Sequence, residues 1–142
     1  MTQDVKVSGF SVLLFRIALS IIFIFAGVAH LAHPDKVAAR INKAAFHGFA
    51  ALFGDAYLLG LLSGYALLLF GLAFMLGIYI RYSAIILVLI LIPITITIQM
   101  GNGLLHGPLW KNVALFGGLL FFIINNPSCY SLKNSSKKIL QS

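Results

Sequence analysis

The chain has 142 residues, 61% of them hydrophobic and 9% charged, with a mean hydropathy of +1.02 and a net charge of +7. A soluble domain of this size cannot hide so large an apolar share, so the composition excludes a water-soluble enzyme and points to the bilayer. The ten Lys and Arg residues sit almost entirely at the edges of the apolar blocks, which makes them membrane-surface anchors; no nucleic-acid partner is expected.

The first apolar block, Phe10 to Ala32, exceeds the roughly 7–15 residues of a signal-peptide core and is expected to remain as a span over Val12–Ala32. It ends at His33-Pro34-Asp35, where proline suits the first turn of a new helix and aspartate its positive end. From Asp35 to Phe53 the pattern changes. Lys36, Arg40, Lys43 and His47 recur at i, i+4, i+7 and i+11, and Val37, Ile41, Ala45, Phe49 and Phe53 at four-residue steps. That is a basic amphipathic helix lying in the headgroups, either a plain connector or a lid, with Gly48 a plausible break near its end.

Gly54-Asp55 introduces a second span, Ala56 to about Ile80. Its Gly60 and Gly64 form a small-xxx-small pair that lets helix backbones approach, and Gly27, Gly71 and Gly117 are further packing candidates. A very short turn at Arg81-Tyr82 makes the next span, Ser83 to about Met100, an antiparallel partner of the second. Pro93 sits within it, followed by Thr95, Thr97 and Gln99. The alternation Ile94-Thr95-Ile96-Thr97-Ile98 would suit a strand in water, but a lone strand in lipid leaves its backbone unpaired, so a helix is expected. A loop through His106 leads to a fourth span, residues 109–124, with Trp110 at the interface. The tail, residues 128–142, is polar and basic, loosely ordered or surface-bound. The expected fold is therefore all-α: one domain, an integral membrane four-helix bundle with a short amphipathic interfacial helix between spans 1 and 2.

Four crossings put both termini on one side. That side carries Lys6, Arg81, Lys133, Lys137 and Lys138, against Lys36, Arg40, Lys43 and Lys111 on the other, an excess that favours cytoplasmic termini. Every histidine, His30, His33, His47 and His106, falls on the face opposite the termini.

Ionisable residues at membrane depth are the default functional suspects. On the first span Arg16, Ser20, Phe23, Gly27 and His30 recur at i, i+4, i+7, i+11 and i+14, a stripe expected to face the interior. The bland alternatives are an Arg16 that snorkels to the interface and a His30 that merely satisfies a helix end. A histidine cluster could hold a metal or a b-type haem or exchange protons with a quinone, but only His30 and His33 share a ligand-like i, i+3 spacing. Lys111-Asn112 opens the fourth span with a cation where the helix dipole prefers an anion, a placement that suits a polar pocket or an anionic partner. No nucleophile–base pair, carboxylate pair or nucleotide loop exists for an autonomous enzyme; Asp4, Asp35 and Asp55 all lie outside the spans.

The stretches Leu14-Phe15-Arg16-Ile17-Ala18, Ala26-Gly27-Val28-Ala29-His30-Leu31-Ala32-His33-Pro34 and Lys111-Asn112-Val113-Ala114-Leu115-Phe116-Gly117-Gly118 resemble the DoxX family of small four-helix membrane proteins, over residues 10–125. Many members carry lysine where this chain has His30. The resemblance implies a bacterial inner-membrane protein related to the membrane subunit of thiosulfate:quinone oxidoreductase, and so an accessory or quinone-linked subunit with a redox protein partner. Arg16, His30, His106, Lys111 and Asn112 are then the pocket candidates, and Lys36, Arg40 and Lys43 the membrane-surface residues. The competing readings are a non-catalytic assembly or anchoring protein, whose glycine faces also suit a homo-oligomer, a small transporter, and a haem protein. A transporter needs a polar path from Arg16 to the histidine face, where the span offers only Ser20.

Overall fold

The computed structural model describes residues 5–133; Lys137 and Lys138 lie outside the described residues. Six α-helices follow in chain order: α1 (Gly9–Ala32), α2 (Pro34–Lys43), α3 (His47–Ala51), α4 (Ala56–Leu76), α5 (Ile80–Ile94) and α6 (Gly107–Asn125). After Pro93 the third long helix widens into a π-helical turn, Thr95–Gln99, and closes as a 3-10 turn, Met100–Asn102. Four helical stretches are long and apolar enough to cross a membrane: Gly9–Ala32, Ala56–Leu76, Ile80–Asn102 and Gly107–Asn125. Their outer surface is made of side chains such as Phe25, Leu69, Leu89 and Ile124, all more than 60% exposed. Water would not tolerate such a continuous apolar face, and lipid requires one.

The four long helices form an antiparallel ring in chain order, α1 against α4, α4 against α5, α5 against α6. The ring closes where Phe15 meets the Phe121 ring edge-on at 5.8 Å. Phe23, Phe74, Leu87, Leu119 and Phe122 fill the centre, and Phe74 and Phe122 meet edge-to-face at 4.9 Å, the geometry favoured by the ring quadrupoles.

The α1–α4 seam is the most extensive contact and is built on glycine. A Cβ added to Gly27 would stand 2.7 Å from the Leu68 backbone nitrogen and 2.9 Å from the Gly64 carbonyl oxygen; one on Gly64 would stand 2.9 Å from His30 Cβ. Gly71 packs on Ile24, and Gly60 on Val37 of α2. Gly117 does not pack. Nothing lies within 4 Å of a Cβ built there, and it is Gly118, one step round the helix, that faces Leu19.

Several boundaries differ from the sequence reading for local reasons. The second span stops at Leu76 because Gly77 adopts φ 73°, letting Ile78 N donate back to Ala73 O at 2.8 Å, a left-handed cap that glycine makes without strain. The third helix accordingly begins at Ile80, and α6 already at Gly107, with Pro108 in its first turn. The amphipathic connector is not one helix to Phe53. It breaks at Ala44, which is extended, and restarts as α3; the break lies before Gly48, where Ala45 presses on Gly101 at the far end of the third span. Asp55 starts α4 by accepting from Tyr57 N (3.0 Å) and Leu58 N (3.2 Å), an N-cap worth about 1 kcal/mol.

The segment after α6 folds back as a strap across the end of the bundle. Ile78 and Lys133 form an isolated backbone bridge, Tyr79 N donates to Lys133 O (2.6 Å), and Lys133 N to Gly77 O (3.2 Å).

Candidate functional site

At the end of the bundle opposite the strap, α2 and α3 lie across α4 and the π turn and roof a cavity of about 380 Å3. Its walls are apolar, among them Ile41, Leu62, Ala66, Ile90 and Pro93. Its polar groups are few: His30 from α1, Ser63 from α4 and Thr97 from the π turn.

The His30 tautomer follows from hydrogen-bond counting. Ser63 has one hydroxyl proton and donates it to Gly60 O at 3.0 Å, so its oxygen accepts from His30 Nδ1 at 2.9 Å. The neutral ring then carries its proton on Nδ1 and keeps Nε2 as an acceptor. Thr97 is 3% exposed, and no described residue hydrogen-bonds its hydroxyl. Thr97 stands seven residues after Ile90 and four after Pro93, on the face that lines the cavity, while Thr95 lies across the helix and meets α6.

A second recess lies outside this one, with Ile98 in the wall of both. It runs between α2 and the start of α6 and is lined by Lys36, Arg40, Lys43, Lys111, His106 and Asn102, with no acidic side chain in its lining. His106 is held by Gln99, Nε2 to Oε1 at 2.8 Å.

The structure thus separates the five pocket candidates. His30 lines the apolar cavity, and His106 and Lys111 line the basic recess. Asn112 lines neither: it is 2% exposed and donates through Nδ2 to Thr95 Oγ1 at 2.8 Å, tying α6 to the π turn. Arg16 is at the opposite end of α1, 1% exposed, and donates to Cys129 O (3.2 Å) and Tyr130 O (2.5 Å) of the strap. Its stripe does face inward, since Ser20, Phe23 and Gly27 are buried with it. It does not snorkel to open water. His33 and His47 are exposed, and among the described residues no three His, Cys, Asp or Glu side chains group as a metal site would require.

Sequence reasoning missed Ser63 as the partner of His30, Thr97 as a second polar group of the cavity, and the strap as the partner of Arg16. A buried arginine in a chain with only three acids, none within a span, has to be satisfied by carbonyl oxygens, and that was the available signal.

No curated protein and no solved structure matches the chain. The DoxX family model matches residues 11–100, from the start of the Arg16 stripe through the roofed cavity to the π turn. With the match covering more than half of its length, this multi-pass membrane protein belongs to the DoxX family.

Proposed function

We propose that the protein is a quinone-docking membrane subunit of a redox system, and that the roofed cavity beside His30 receives the quinone. The observation that carries this reading is the cavity: apolar walls that suit a ring and an isoprenoid chain, with the His30–Ser63 pair and the Thr97 hydroxyl as its few polar groups. Such a combination orients a small polar head by one or two hydrogen bonds while the rest is held by burial. Quinone reduction consumes two electrons and two protons. The electrons come from a partner redox protein, and His30 Nε2 is the atom of this chain suited to accept or pass a proton. Thr97 donates to a ring carbonyl. The connector shields the cavity from water.

We assign the protein to a bacterial inner membrane, with both termini cytoplasmic on the excess of cations there; the histidine-bearing end then faces outward. The test is quinone extracted from gently purified protein. Wild type is expected to retain near-stoichiometric quinone, and Thr97→Val to lose most of it, because its hydroxyl is the donor to the ring carbonyl and one hydrogen bond is worth about threefold to tenfold in affinity. Wild-type protein that folds normally, retains no quinone and binds none when it is added would refute the reading.

A further inference from the structure

The basic recess holds four cations that the proposed quinone chemistry does not use. Lys36, Arg40 and Lys43 come from one face of α2, and Lys111 comes from the second turn of α6. Among the described residues, none of the four is hydrogen-bonded or ion-paired. Of the three acidic residues in the chain, Asp55 is taken up by capping α4, Asp35 is not part of the lining, and Asp4 lies outside the described residues. Four like charges gathered without a counter-charge repel one another. An arrangement that is unfavourable when empty becomes favourable when an anion occupies it. A hydrogen-bond donor is at hand as well, in the second amide proton of Asn102, whose first goes to Ile98 O at 2.7 Å.

We propose that this recess is a specific site for the phosphate headgroup of an anionic phospholipid. Its place favours a lipid over a free oxyanion. The recess opens at the end of the membrane-spanning helices, at the level where an amphipathic helix lies among headgroups, and it shares the Ile98 wall with an apolar cavity. The bound phosphodiester bridges α2 to α6, two elements that otherwise touch through few side chains, and so pins the roof of the inner cavity. None of its residues is His30, Ser63 or Thr97, so lipid retention is read separately from quinone binding.

The test uses the full-length protein in nanodiscs of phosphatidylcholine with added phosphatidylglycerol, with lipids that survive extraction into detergent counted by native mass spectrometry. Wild type is expected to retain one phosphatidylglycerol in preference to phosphatidylcholine. Each neutralised cation should weaken retention by about fivefold, as one charge near an anionic surface is worth, so Lys36→Gln/Lys111→Gln should lose the bound lipid. A Lys6→Gln/Lys133→Gln control, which removes two charges from the opposite end, should retain it. The four side chains are exposed, so the variants should elute as folded protein; the single Lys111→Gln variant supplies an intermediate point. Equal retention of the two lipids, or equal loss in the control, would overturn the proposal. So would inorganic phosphate binding to lipid-free protein as tightly as the lipid does, which would mark a free-oxyanion site instead.

Discussion

Gly27→Ala is expected to cost about 3 kcal/mol of stability and to leave little folded protein in detergent, although the change adds a single methyl group. In an isolated helix the same substitution is favourable by up to about 1 kcal/mol. Here the methyl would sit 2.7 Å from the Leu68 nitrogen and 2.9 Å from the Gly64 oxygen. Both are backbone atoms of α4, so no rotamer change can relieve the contact, and the α1–α4 seam has to part along its length. Gly117→Ala is the matched control: nothing lies within 4 Å of its Cβ, and it should leave stability unchanged or raise it by less than about 1 kcal/mol. Thermal unfolding of both variants in one detergent checks the pair. Equal effects would mean that the seam is not where the bundle's packing is decided.

The second large effect is expected at Arg16 and the strap. The guanidinium lies seven residues into α1, about 10 Å from the helix start at 1.5 Å per residue, and its two terminal nitrogens are met by the Cys129 and Tyr130 carbonyls rather than by an acid, while Nε is buried without a partner. A charge-assisted hydrogen bond of this kind contributes about 1.5–3 kcal/mol. Ending the chain at Pro127 should therefore strand the charge and lower the unfolding temperature by roughly 10 °C. Arg16→Leu should lower it as well, by unpartnering the carbonyls. Combining the two should cost little more than either alone, with a coupling of about 2–3 kcal/mol. Additive losses would show that the strap is held by its Gly77–Tyr79 contacts and not by Arg16.

These two cases also separate what the sequence could tell from what it could not. The four spans and the inward stripe of Arg16, Ser20, Phe23 and Gly27 were legible, because hydropathy and helical period act locally and lipid leaves a long apolar segment little choice but helix. Which glycines pack was only partly legible: Gly117 and Gly118 are equivalent by composition, and their difference is a 100° rotation set by where α1 happens to lie. The strap was illegible in the polar tail, since its hydrogen bonds are backbone-to-backbone and side-chain-to-backbone and leave no residue signature. The histidines shared a face in the sequence, yet Ile98 keeps His30 and His106 in separate recesses. The widening of the turn after Pro93 needs the proline and the surrounding helices together.

The most direct test of the functional account is to fill the cavity without touching its polar groups. Ala66 lines the wall and takes part in no hydrogen bond to His30, Ser63 or Thr97, so Ala66→Phe occupies the space where the quinone ring is placed. Calorimetric titration of the folded variant with a short-chain quinone analogue should then show binding weakened by at least about tenfold relative to wild type, with the His30–Ser63 pair intact. Wild-type affinity in a folded Ala66→Phe protein would contradict the account and put the ligand elsewhere on the bundle.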